Sequence, residues 1–183
     1  MTRRPQSNTP KDISSSIERW LTETQSGYRD LNPTIKSALM YFMVTWSIFE
    51  FKALDSNGNI DSLRRLSDRV GDSDESLAKF TRPFDYFRER YVNSHRVNED
   101  FRYLVGGDLN IIRPVREALL EHRNTSGDKV FGLLLIVYCL RNNLFHGLKW
   151  KWGVDDQYDN FTHATFILID VLDELSSKEI TLS

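Results

Sequence analysis

Apolar and polar positions along the chain alternate in long blocks, and within the blocks the apolar residues recur with helical spacing. From Ile35 to Leu54 the sequence is almost wholly apolar, broken mainly by Thr45, Ser47, Glu50 and Lys52. Asn32 and Pro33 in front of it have the character of an N-cap and a first-turn proline, and the polar run Asp55-Ser56-Asn57-Gly58-Asn59 stops it. A helix apolar all round is expected to be buried on most sides. A second such helix is expected from Asp128 to about His146, with Gly147 at the position just past its end. A third runs from Asp156 to about Leu175, with Phe161, Leu168, Val171, Leu172 and Leu175 turned inward. Residues 33–54, 128–147 and 156–176 are therefore the expected core helices.

The segment between the first two, residues 55–127, reads as a helical insertion. It holds a short helix from Asp61 to Arg69 and a break at Gly71-Asp72-Ser73-Asp74. Next come Phe80, Phe84, Phe87 and Tyr91, which fall on one helical face as a core stripe. Pro83 inside that stripe should kink the helix or begin a new one. Gly106-Gly107-Asp108 precedes a helix from Leu109 to His122, and Asn124-Thr125-Ser126-Gly127 is a turn. At the N-terminus, residues 1–11 read as a flexible leader. A helix from Asp12 then carries Ile17, Trp20 and Leu21 to Thr24, with Gly27 ending it. No repeat and no convincing strand pair is visible. The expectation is an all-α fold forming a single domain over residues 12–183.

Composition narrows the class. The chain has 183 residues, 40% hydrophobic and 27% charged, which suits one globular domain. Its longest apolar run, Val130 to Leu140, is far short of the roughly 20 residues that span a bilayer, so no membrane partner is expected. The single cysteine, Cys139, excludes an intrachain disulfide and reads as an inert buried thiol in a reducing compartment. With no apolar stretch after the basic N-terminus, the expected location is cytoplasmic. A net charge of −2 argues against coating nucleic acid by overall field. Between Lys79 and Arg123, nine Lys/Arg stand against seven Asp/Glu, a mildly basic stretch read first as a solvated face.

The chemistry concentrates at the end of the second core helix. After Val130–Leu140 the chain gains Arg141, Asn142, Asn143 and His146 within two turns. At 100° per residue Asn142 and His146 lie about 40° apart on one face, with Arg141 about 140° from His146. Arginine offers a permanently charged fork for phosphate, and histidine exchanges a proton near neutrality. The helix C-terminus favours the imidazolium form, an acid role. These residue types suit attack on an RNA phosphodiester by its own 2′-hydroxyl. Such a reaction needs no metal in principle. His95, His122, His146 and His163 are scattered without metal-ligand spacing, and no nucleotide-binding loop is present, so no metal and no cofactor are expected. Glu50, alone among apolar residues one turn after Trp46, demands a partner if buried, and Arg141 or His146 is the candidate; the alternative is that Glu50 faces solvent or pairs with a lysine.

The run Arg141-Asn-Asn-Leu-Phe-His146 resembles the Arg-x(4–6)-His motif of the HEPN superfamily, four-helix-bundle proteins with this motif on a late core helix. Arg88 and Arg90 before His95, and Arg116 before His122, have similar spacing. Only Arg141–His146 follows a long apolar helix, has asparagine directly after arginine and closes with Phe-His-Gly. The resemblance extends over residues 33–54 and 128–176. It implies a HEPN-like helical bundle and a metal-independent endoribonuclease of the toxin or anti-phage, abortive-infection kind, usually a homodimer with both motifs at the interface. Arg141 would hold the scissile phosphate, His146 transfer a proton and Asn142 orient either, with Glu50 and Asn143 in support. RNA, a second copy and an antitoxin or regulatory protein are the implied partners. One HEPN subgroup carries a modifiable tyrosine two residues after the histidine; here that residue is Leu148, a departure that speaks against this mode of control. The alternative is a non-catalytic HEPN-like module that binds a protein or RNA, with Arg141 and Asn142 as structural hydrogen-bonders and His146 capping the helix. A homodimer is also expected because the helix ending at His146 is apolar on all sides.

Overall fold

The computed structural model describes residues 10–71, 77–120, 125–145 and 157–182, and over these the fold is all-α. The helices are α1 (Pro10–Thr24), α2 (Ser26–Arg29), α3 (Pro33–Leu54), α4 (Ile60–Val70), α5 (Thr81–Tyr91), α6 (Glu99–Val105), α7 (Leu109–Leu120), α8 (Ser126–Phe145) and α9 (Tyr158–Leu182). Between α5 and α6 lies a minimal antiparallel pair, β1 (Val92–Asn93) and β2 (Arg96–Val97). No strand is expected here from the sequence. Two residues per strand carry no periodicity, and the turn is made by Ser94 and His95 with φ of 49° and 61°, the left-handed pair a two-residue hairpin requires.

Local chemistry sets the helix ends. Asn32 Oδ1 accepts from the Ile35 amide at 3.0 Å and Pro33 opens α3, as expected. At the other end Asp55 and Ser56 turn into the left-handed region and both amides close on the Glu50 carbonyl. Asn59 and Ser62 form a reciprocal capping box on α4. Thr125 and Asp128 do the same for α8: the Asp128 amide donates to Thr125 Oγ1 at 3.1 Å, and the Thr125 amide donates to Asp128 Oδ2 at 3.2 Å. Pro83 begins a helix rather than kinking one, since it falls in the first turn of α5, where amides have no intrahelical partner. Several bounds differ from expectation. Helix α1 opens at Pro10, inside the expected leader of residues 1–11, and Gly27 lies inside the short α2 rather than ending α1. Ser126 and Gly127 begin α8 rather than belonging to the turn before it, because Thr125 and Asp128 cap the helix there, and α9 continues to Leu182, beyond Leu175.

One apolar core runs through the molecule, with α8 at its centre. Val130, Leu133, Leu134, Leu135, Ile136, Val137 and Leu140 are fully enclosed, because α4 and α7 pack along α8 while α6 and α9 close its remaining sides. Gly132 permits the close approach of α7: a Cβ there would stand 2.4 Å from that of Ala118. The helical segment between α3 and α8 thus supplies much of the core, including Leu63, Leu66, Phe87, Tyr91 and Phe101, and the aromatic stripe is buried except for a half-buried Phe84. Cys139 is enclosed as expected, and burial pushes its thiol up to about 12. Helix α3 packs chiefly on α9.

Burial of α3 is one-sided, which corrects the expectation of a helix covered on most sides. Ile35, Leu39, Phe42, Trp46 and Phe49 face the core, while Met40, Tyr41, Met43, Val44, Ile48 and Phe51 are exposed. The physical reason for expecting a dimer therefore moves as well: α8 is covered within one chain, and α3 is the helix with an uncovered apolar face. Ile17 and Trp20 of α1 are also exposed. No helix among the described residues is long and apolar enough to cross a membrane.

Candidate active site

Arg141 lies in the last turns of α8, where that helix passes the second half of α3. The guanidinium sits between two rings, 5.5 Å from Trp46 and 5.2 Å from Phe145. One terminal nitrogen donates to Asn142 Oδ1 at 2.9 Å, and the other stands 3.8 Å from Glu50 Oε2. The second distance is an ion pair without a formed hydrogen bond. Arg141 Nε is enclosed and has no hydrogen-bond partner among the described residues. The fork is thus held in place by rings, the Asn142 amide and charge, with its Nε walled off from solvent.

Glu50 is fixed from its other side. The Trp46 indole N–H donates to the same Oε2 at 3.0 Å, an i to i+4 bond along α3. Oε1 packs against the loop after α3, where a Cβ on Gly58 would come within 2.3 Å of it and 3.4 Å of Trp46 Cζ2. Gly58 does not have a left-handed backbone, so what a larger residue would meet there is crowding by the Glu50 carboxylate rather than backbone strain. The carboxylate and the guanidinium are about a quarter exposed, 24% and 29%, so this is a half-open pair at the α3–α8 seam rather than a sealed core contact.

The fold therefore brings together three of the residues singled out from sequence, Arg141, Asn142 and Glu50. Asn143 is placed elsewhere: its amide donates to the Leu104 carbonyl at 2.9 Å, tying α8 to the end of α6. His146, with Gly147 and Leu148, lies outside the described residues, as does His122. Of the competing spacings, His95 occupies the hairpin turn, while Arg88 pairs with Asp85 at 3.2 Å. Among the described residues no three His, Cys, Asp or Glu side chains converge to hold a metal. Trp46, Phe145 and Gly58 are the members that sequence reasoning missed. Only Trp46 carried a legible signal, its position one turn before Glu50.

Comparison with known proteins adds no relative. No family model matches the chain, and neither a curated protein nor a solved structure is significantly similar to it.

His163, the other described histidine, has a different environment. It stacks on Tyr86 at 4.1 Å and meets the edge of Phe87 at 6.4 Å. Burial, then Arg82, holds its pKa below the usual imidazole value, with Asp159 opposing. This histidine packs among aromatic rings, apart from the Arg141 seam.

Proposed function

We propose that the chain is a metal-independent endoribonuclease of HEPN type, acting as a toxin or anti-phage effector, with Arg141 and His146 as its catalytic pair. The observation that carries the reading is the state of Arg141: an oriented guanidinium, about a quarter exposed, with only a loose carboxylate contact at 3.8 Å among the described residues, five residues before a histidine. A purely structural arginine at a helix end would be expected to spend its donors on carbonyls or a tight carboxylate.

In the proposed reaction the RNA 2′-hydroxyl attacks the adjacent phosphorus, the bond to the 5′-oxygen breaks, and the products are a 2′,3′-cyclic phosphate and a 5′-hydroxyl. Arg141 takes two phosphate oxygens and offsets the charge that develops on them. Glu50, held by Trp46 and Gly58, is a positioning residue that sets the plane of the fork. Asn142 steadies the guanidinium from the other side. His146, as imidazolium, protonates the leaving 5′-oxygen, and the proton of the attacking 2′-hydroxyl passes to solvent water, which then returns one proton to the imidazole. A second copy of the chain would bring a second Arg141–His146 pair, as the resemblance implies.

Purified protein incubated with total RNA in EDTA tests the reaction class. The expected result is cleavage with cyclic-phosphate ends, unchanged by the chelator. Loss of cleavage in EDTA with rescue by magnesium would contradict it. Absence of cleavage under every condition would favour the interaction module, the reading in which Arg141 only fastens α8 to α3.

A further inference from the structure

The seam that holds Arg141 opens, towards the N-terminal half of α3, into a groove of about 610 Å³ between α1, α2, α3 and the last turn of α8. We propose that this groove binds the base and phosphate of an unpaired RNA nucleotide next to the scissile bond. The inference rests on the endoribonuclease reading above and names the substrate feature that the same site selects.

Continuity with the Arg141 seam is the first observation. Arg141 meets Trp46 and Glu50 in the second half of α3. Leu144, one turn later on the same side of α8, lines the groove with Leu39, Met40 and Met43. The axial step from Arg141 to Leu144 is about 4.5 Å, comparable with the roughly 3.4 Å rise of stacked nucleotides. A strand that follows the seam from Arg141 brings its next nucleotide over the groove. The volume suits this occupant, since small-ligand sites run from about 300 to 1,000 Å³.

The lining has the chemistry of a nucleotide rather than of a plain apolar ligand. Trp20 of α1 is 57% exposed and offers an indole face, and Met40 and Met43 of α3 add polarizable thioethers. Stacking on an aromatic ring accepts any base, because every base has a π-face. Gln25 supplies an amide for a base edge, and Lys36 an ammonium for phosphate. Lys36 stands 4.1 Å from the centroid of the Tyr28 ring and donates to Glu18 at 2.7 Å, while Tyr28 donates to the same carboxylate at 2.5 Å. Glu18 thus orients the ammonium and, by that hydrogen bond, raises its pKa, which keeps it charged. The carboxylate also offsets part of the attraction for phosphate, but it takes one of three ammonium donors. An acyl chain or an apolar peptide would use the thioethers and leucines and give the amide and the ammonium no role.

An oligonucleotide 2′-O-methylated at every sugar but one fixes the scissile position, and abasic sites are then placed on either side of it in turn. Cleavage in EDTA should reveal a flanking position where base removal raises KM by about 5- to 100-fold with kcat little changed, the range of one stacked base. Trp20→Ala should reproduce that rise on the intact strand and add nothing to it on the abasic one. Trp20→Phe, which keeps a ring, should restore most of the loss. With a fully methylated strand, which is not cleaved, Lys36→Gln should reduce the slope of log affinity against log salt by about 0.7. Circular dichroism checks each variant, and the abasic series needs none. Cleavage indifferent to base removal on both flanks overturns the inference and leaves the endoribonuclease reading standing. So does a Trp20→Ala loss that is equal on intact and abasic strands, or a salt slope that Lys36→Gln leaves unchanged. Neither binding nor cleavage of any strand overturns both.

Discussion

Gly58→Ala probes the site without touching any residue proposed to meet substrate. The new Cβ would lie 2.3 Å from Glu50 Oε1, and relief to an ordinary contact of about 3.4 Å requires the carboxylate to move by about 1.1 Å. The obstructing atom is the tip of a flexible side chain, so the fold can yield. Displacement strains or breaks the Trp46–Glu50 bond, worth about 1.5–3 kcal/mol as a hydrogen bond to a charged group. Alanine returns about 0.4–1 kcal/mol by restricting the unfolded chain. The Glu50–Arg141 attraction adds little to this balance, about 1 kcal/mol or less for a half-open pair. The net cost should be about 1–2 kcal/mol, measured as a shift in the urea midpoint with unchanged slope. Catalysis should suffer more than stability, because an ångström of misplacement at a positioning group costs up to about 100-fold in rate. Cleavage of a labelled RNA should therefore fall about 10- to 100-fold in kcat/KM, and Glu50→Ala should fall similarly. The Gly58→Ala, Glu50→Ala double variant should lose no more than the worse single one, since both act through the same carboxylate. Full activity in Gly58→Ala beside a crippled Glu50→Ala would refute the crowding argument. Additive losses would show that the loop acts by another route.

Two further outcomes test the packing and the electrostatics. Gly132→Ala forces α7 away from α8 and should cost about 1–3 kcal/mol, read as a lower melting temperature without loss of helix content. His163 has its folded-state pKa held below its unfolded value, so it contributes stability that is present above the unfolded pKa and is lost as pH falls through the folded one. The melting temperature should accordingly drop on acidification below about pH 6.5 more steeply in the wild type than in His163→Gln. Equal slopes would show that the stacked imidazole binds its proton as readily in the fold as in the unfolded chain.

The parts of this fold legible in the sequence are those with strong punctuation or strong periodicity. Asn32-Pro33, the polar stop after Leu54 and the stripe from Phe80 to Tyr91 each name a specific backbone need, and the structure meets them. The partner of Glu50 was legible for a related reason, because a carboxylate among apolar residues has few places to go. What could not be read was direction. A helix with apolar residues on every side has no polar face to mark the solvent, so nothing in residues 33–54 says that Met40, Val44 and Phe51 face outward while Phe42 and Phe49 face inward. The same ambiguity assigned the need for cover to α8, which its own chain encloses. Asn143 looked like a site residue by adjacency, yet a single step along the helix turns it about 100° and a different carbonyl claims it. Gly58 was visible only as part of a stop signal; its contact with Glu50 arises from how the loop returns, which no local spacing encodes.

The central claim is that Arg141 and His146 perform phosphodiester cleavage, and paired substitutions with their decoys test it most directly. Arg141→Lys, His146→Ala, His95→Ala and His122→Ala would be purified, checked by circular dichroism and assayed on one labelled RNA in EDTA. The account predicts that His146→Ala loses about 10²–10⁴-fold in rate with its helix content intact. Arg141→Lys, which keeps charge but loses the planar fork, should also be poorly active, while both decoys cleave as the wild type does. Full cleavage by His146→Ala, or equal loss in all three histidine variants, would contradict the catalytic assignment and return Arg141 to the role of fastening α8 against α3.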